Sequence, residues 1–279
     1  EIRKVVERHA DRFVMGEFSE EPERCGCFAA PDVGLHSGYS FPLLEAHTLG
    51  PDFILKHFAM LAKYPKHWPS VAFSNHDIMR TLTRFGGPDA PPALAKLMFA
   101  LLLSLKGTVL IYQGEELGLP QADIRRDQLR DPVGDLYYPW YKGRDGCRTP
   151  MPWDANARNL GFTSGTPWLP VAPAHKALAV SAQEHDGNSM LQFARAMIAL
   201  RKKHPALVLG EIEFVDAGAP VLAFRRSHGG QSVLCIFNMS TSDAVYDGPI
   251  AETPLISAGS RVQSGKLRLD LYGVWLSEV

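Results

Sequence analysis

Apolar residues in the first 112 positions fall into short blocks, each followed by a polar turn. One block, 12–17, contains Phe13, Val14 and Met15 and ends on Glu17, and a second, 36–41, follows a stretch rich in Pro, Gly and Cys. A third, Val71-Ala72-Phe73, runs straight into Ser74-Asn75-His76-Asp77. Blocks of this length bounded by turn residues predict strands. Between them, apolar positions recur at helical spacing over 2–9, 51–63, 78–85 and 93–106. Pro51 suits a first helical position. The segment 93–106 is apolar all round, which predicts a largely buried helix, with Gly107 as its stop. Thr108-Val109-Leu110-Ile111-Tyr112 then reads as a buried, β-branched strand leading into Gln113-Gly114-Glu115-Glu116. Strand and helix alternate to this point, the pattern of parallel β/α units.

The alternation breaks over about 113–188, a stretch rich in Pro, Gly, Trp and Arg. A connection of that length inside a compact domain is usually functional. A helix resumes over 189–204, where Lys202, Lys203 and His204 fill the last turn and Pro205 follows. Beyond it come short alternating blocks at 221–225, 232–238, 266–271 and 273–276, separated by Gly, Ser and Asp. The pattern divides the chain into a β/α region, 1–205, and a small all-β sandwich domain, 206–279.

Composition narrows the classes. The 279 residues are 46% apolar and 21% charged with a net charge of −1, so nothing favours nucleic acid or an anionic membrane as partner. The longest apolar run, 97–105 broken by Ser104, is about half of what a membrane span needs. Glu1-Ile2-Arg3-Lys4-Val5-Val6 reads like the middle of a helix, which leads us to expect a segment of a longer protein. Of four cysteines, Cys25 and Cys27 lack a matching second pair and read as free thiols rather than a metal site. That usage suits a reducing cytosol, hence a cytoplasmic protein.

The stretch 73–87 concentrates the chemistry: an amide, an imidazole, a carboxylate and two guanidiniums follow a strand. Asp77 can be read as a helix cap or as part of a site, because barrels place their chemistry at the C-terminal ends of strands. Glu17 ends another strand two β/α units earlier, and it too has a plain alternative, an acid bound to a neighbouring backbone amide. Two carboxylates aimed into one pocket suit glycosidic cleavage.

Four ordered segments give that pattern a family. Val14-Met15-Gly16-Glu17-Phe18, Ser74-Asn75-His76-Asp77-Ile78-Met79-Arg80 with Arg84-Phe85-Gly86, Gly107–Gly118, and Gly143-Arg144-Asp145-Gly146-Cys147-Arg148-Thr149-Pro150-Met151-Pro152-Trp153-Asp154 are involved. Together they resemble the C-terminal half of the α-amylase superfamily, glycoside hydrolase family 13, in its α-glucosidase and oligo-1,6-glucosidase branch. The resemblance implies an α/β fold, the second half of a (β/α)8 barrel followed by the small β domain.

It also implies roles. Glu17 would be the general acid/base and Asp77 would grip the sugar's ring hydroxyls as the ring flattens. His76 and Arg148 would bind the terminal glucose, giving exo action, while Phe18 and Arg80 would line the sites near the scissile bond. Glu115, Glu116, Arg84 and Trp153 fit structural roles better, as buried ion pairs and aromatic plugs. The family's nucleophile, an Asp in a Gly-x-Arg-x-Asp pattern upstream of the acid, is absent from this sequence, as are the first four strands. The expected activity is that of a retaining α-glucosidase acting on short oligosaccharides or glucosides, with transglucosylation included. This segment would be inactive without the other half of its barrel. A sucrose- or trehalose-processing glucosyl-transfer enzyme and a non-catalytic scaffold subunit are the alternatives. No cofactor is implied; a structural calcium ion stays open, its usual ligand loops lying upstream.

Overall fold

Four short strands lie side by side in chain order. In the computed structural model, which describes residues 1–17, 34–39, 41–65 and 68–279, they are β1 (Met15–Gly16), β2 (Ser37–Gly38), β3 (Ser70–Val71) and β4 (Thr108–Val109). β1 pairs with β2 in parallel, a parallel bridge from Tyr39 to Ser70 joins β2 to β3, and β3 pairs with β4 in parallel. Helices Phe41–Glu45, Pro51–Leu61, Thr81–Gly86 and Pro92–Ser104 occupy the crossovers. This is the second half of a (β/α)8 barrel. Phe18, Cys25 and Cys27 lie outside the described residues.

The ladders are shorter than the apolar blocks. Ala72 and Phe73 are buried yet fall beyond the paired stretch, so hydrophobicity predicted the core there and not the hydrogen bonding. The helix expected from Ile78 begins at Thr81 for a local reason. Asn75 Oδ1 accepts the backbone N–H groups of Asp77 (2.9 Å) and Ile78 (3.0 Å), which fixes a turn, and Arg80 is extended at ψ 135°. The long connection holds short helices, Pro132–Leu136 and Val180–Gln183, and several single 3-10 turns.

The C-terminal region is one antiparallel sheet of β5 (Glu211–Val215), β6 (Val221–His228), β7 (Gln231–Asn238), β8 (Ala244–Tyr246), β9 (Ile256–Gln263) and β10 (Lys266–Glu278). Its order is β5-β6-β7-β10-β8, with β9 also on β10. The two blocks read as separate strands at 266–271 and 273–276 are a single strand, β10, whose pairing with β9 shifts register between Leu269 and Val274. Tyr272 sits in that shift at φ 53°, and the strand bends there. The bend brings Leu267 and Leu269 back over Val221, Ala223, Leu234 and Ile236 as a second small core. The small all-β domain is therefore built on one continuous antiparallel sheet, with its second core where β10 bends.

The main core ignores the boundary near residue 205. It runs from Ile54 and Phe58 through the Pro92–Ser104 helix and Met197 to Leu222, Phe224, Phe237 and Leu276 of the sheet. Phe58, Phe214, Phe224 and Phe237 form a chain of ring contacts with centroids 5.7–5.8 Å apart. Two arginines close the joint. Arg226, fully buried, donates to the carbonyls of Ser104 and Gly210. Arg201, in the Met190–Lys203 helix, donates to Leu103 (2.6 Å), Leu207 (2.7 Å) and Gly107 (2.9 Å). Burial pulls both guanidiniums down to about 10. Arg226→Met, which strands two buried carbonyls, should lower the unfolding free energy by about 2–4 kcal/mol. Denaturant melts would show it, and an unchanged midpoint would mean the joint does not need this cation.

Candidate active site

The rim at the C-terminal ends of the strands carries the polar groups. Glu17 follows β1 directly and is exposed; burial, and after it the negative charge of Glu17, pushes up the phenol of Tyr39 just after β2. After β3 the chain stays buried through Ser74 and Asn75, and the Asn75 turn then brings His76 and Asp77 outward. Ser74 Oγ donates to Glu115 Oε1 at 2.6 Å, tying this turn to the end of β4.

Two guanidiniums and an imidazole converge on one oxygen. Asp77 Oδ1 lies 2.5 Å from Arg148 Nη2, 3.2 Å from Arg144 Nη1 and 3.6 Å from His76 Nε2. Its Oδ2 accepts nothing among the described residues. Arg148 Nε also donates to the His76 carbonyl at 2.6 Å. Both arginines flank the single turn Asp145–Cys147 within the long connection, as its preceding and following residues.

That turn is held from behind by two carboxylates. Asp131, whose side chain is fully buried, accepts Arg144 Nε at 2.8 Å, Arg144 Nη2 at 3.1 Å and the Arg144 backbone N–H at 2.9 Å. The guanidinium keeps the Asp131 carboxyl well below the usual carboxylate range, and Asp131 raises Arg144 in return. Asp145 Oδ2 accepts the backbone N–H groups of Arg130 and Asp131 at 2.6 and 2.8 Å. Gly143 has φ 70°, and a Cβ there would stand 2.8 Å from Asp131 Oδ2, so the approach requires glycine.

The residues named from sequence divide accordingly. Asp77, His76 and Arg148 stand together, and Glu17 is two strands away on the same rim. Arg80 is a correction. It is 3% exposed, and its guanidinium donates to the carbonyls of Gln113 (2.8 Å) and Cys147 (3.1 Å), out of a substrate's reach. Glu115 accepts Ser74, Thr81 and the Tyr112 N–H, with burial raising its pKa. Glu116 accepts the Gly114 N–H. Arg84 donates to the carbonyls of Leu43, Leu44 and Phe73. Trp153 is no plug: its side chain is half exposed. Sequence reasoning gave no role to Arg144 or Asp131. The available signal was two arginines four residues apart in one loop, a spacing that puts both guanidiniums on one side of a helical turn. Among the described residues no group of three or more His, Cys, Asp or Glu could hold a metal ion.

A family model for the alpha amylase catalytic domain matches residues 1–210. The chain belongs to the alpha-amylase family. Within that family it is 40% identical over 272 residues, 95% of its length, to a probable alpha-glucosidase of Rhizobium meliloti (strain 1021), covering 49% of that protein. It is 34% identical over 204 residues to an oligo-1,6-glucosidase of Parageobacillus thermoglucosidasius, which takes in 66% of the chain and 36% of the relative. Among solved structures of alpha-amylase relatives, the alpha-glucosyl transfer enzyme XgtA superposes with a TM-score of 0.91 at 41% identity, over 99% of this chain and 52% of that one. The chain spans about half the length, or less, of the curated relatives it matches.

His175 pins the connection that carries both arginines. It is fully buried, with Nε2 2.9 Å from the Pro120 carbonyl and Nδ1 buried without a partner among the described residues. Protonation would bury a second N–H with no acceptor, and burial lowers its pKa to about 4. The unfolded chain takes up that proton near pH 6.5 and the folded chain only near 4. Stability should therefore fall as pH drops through this window, by up to about 3 kcal/mol from this group. His57, also buried and lowered to about 4, adds to the same slope. Denaturant melts of His175→Gln, which keeps a donor for Pro120, should show a shallower acid limb. An identical limb would remove His175 from the account.

Proposed function

We propose that this chain carries part of the active site of a retaining, exo-acting α-glucosidase, which hydrolyses and also transfers terminal α-linked glucose of short oligosaccharides. The observation that carries this is the convergence of Arg148, Arg144 and His76 on Asp77 Oδ1, with Oδ2 accepting nothing among the described residues. Two guanidiniums hold the Asp77 carboxylate fixed in direction. The open oxygen is then free to accept ring hydroxyls, and the fixed negative charge gains most as positive charge develops on a flattening sugar ring. Glu17, exposed at the end of β1, is the group that protonates the leaving oxygen and later activates water or an acceptor hydroxyl.

Double displacement also needs a nucleophilic carboxylate about 5–5.5 Å from that acid. A segment outside this sequence supplies it, together with the strands that complete the barrel, so these residues act only in the assembled enzyme. The names of the glucosidase relatives support hydrolysis, and the likeness to XgtA supports transfer. Nothing in this chemistry calls for a cofactor. The buried free thiols of Cys147 and Cys235 suit a reducing cytoplasm.

Glu17→Gln in the assembled enzyme should cut turnover of unactivated glucosides by about 10²–10⁴-fold. Near wild-type turnover in a correctly folded variant would sink the acid/base assignment. Product analysis with maltose, isomaltose and sucrose, with and without an alcohol acceptor, separates hydrolysis from transfer.

A further inference from the structure

Arg80 has a job that its burial does not explain. Among the described residues its side-chain hydrogen bonds go to carbonyls rather than carboxylates: Nη1 to Gln113 and Nη2 to Cys147, with the guanidinium 5.5 Å from the Tyr112 ring centre. Burial lowers its pKa, and a buried cation without a hydrogen-bonded carboxylate is an expensive way to fill space. The surroundings are shaped for it. Gly114 has φ 93°, and a Cβ there would come within 2.5 Å of Arg80 Nη1.

The Cys147 carbonyl is the shared target of two side chains, since Tyr112 Oη also donates to it at 3.0 Å. Cys147 closes the turn that presents Arg144 and Arg148, and its thiol donates to the carbonyls of Arg144 (3.0 Å) and His76 (3.3 Å). Arg80 thus spans from the loop after β4 to the peptide that joins Cys147 to Arg148, one of the two arginines that meet Asp77. A lysine in its place would present a single point of donation where the guanidinium fork reaches two carbonyls at once.

We propose that Arg80 is a positioning residue: through the Cys147 carbonyl it sets the placement of the Arg144–Arg148 pair over Asp77, and so the affinity for the terminal glucose. The inference rests on the glucosidase reading given above. It assigns Arg80 no contact with substrate.

Steady-state kinetics of the assembled enzyme on maltose and a nitrophenyl α-glucoside test it. Arg80→Lys should raise KM about tenfold, the size expected for losing one charge-assisted hydrogen bond, with a smaller change in kcat. Tyr112→Phe, a milder change that keeps the ring, should raise KM in the same sense. The double variant should show less than the product of the two effects, because both donors act on one oxygen. A folded Arg80→Lys enzyme with unchanged KM, or two effects that multiply independently, would overturn the proposal. A wild-type enzyme inactive on every α-glucoside would instead refute the glucosidase reading, and the positioning role with it.

Discussion

A helix without a polar face has to find partners for its last carbonyls inside the protein, and the architecture of this chain follows from that need. The Pro92–Ser104 helix is buried on nearly every side, so water cannot cap it. Arg201 and Arg226 do so instead, one from the last barrel helix and one from the sheet. Positive charge at a helix C-terminus is also favoured by the aligned peptide dipoles. The same two side chains bind Leu207 and Gly210 in the connection between the regions. Capping the helix and docking the sheet are therefore one event, and the β region shares a continuous core with the half barrel.

The candidate site uses the same chemistry on the opposite, solvent-facing side. Its frame is built from side chains that bind backbone: Asn75 to two N–H groups, Asp145 to two more, Arg80 and Tyr112 to one carbonyl. Charge pairing is reserved for the line from Asp77 through Arg144 to Asp131. Because Asp131 is fully buried and Asp77 partly exposed, the line runs from fixed interior to open rim. A rigid carboxylate at the rim is what stabilisation of a developing cation requires, since little reorganisation is left to do.

Much of this was legible in the sequence, where local chemistry matched global placement. Helical periodicity located the buried helix, strand–helix alternation gave the half barrel, and the 74–80 and 143–154 segments held Asp77, His76 and Arg148. The misses have separate causes. β8 is only three residues long and β9 mixes Ser, Gly and Arg with few large apolar residues, whereas the alternation of β5 was there to be read; the bend at Tyr272 depends on a register shift that only pairing creates. Arg80 lies three residues from Asp77 within the 74–80 segment, whose family resemblance implied a place near the scissile bond. The extended backbone at Arg80 sends its side chain inward instead. Arg144 was passed over because its partner Asp131 sits thirteen residues away within an irregular loop, a pairing no periodicity encodes.

The Asp145–Cys147 turn has a consequence for how such a site changes over generations. Its anchors address main-chain oxygens: Arg80 and Tyr112 reach the oxygen of residue 147, and Arg148 and the thiol reach that of residue 76. A peptide oxygen survives any substitution at its own position. Substitution at 147 therefore costs the thiol's own two donations but leaves the oxygen on which Arg80 and Tyr112 act, so the scaffold that presents the two guanidiniums persists. A change at residue 147 can thus alter the lining of the turn without removing the oxygen that its two outer anchors share.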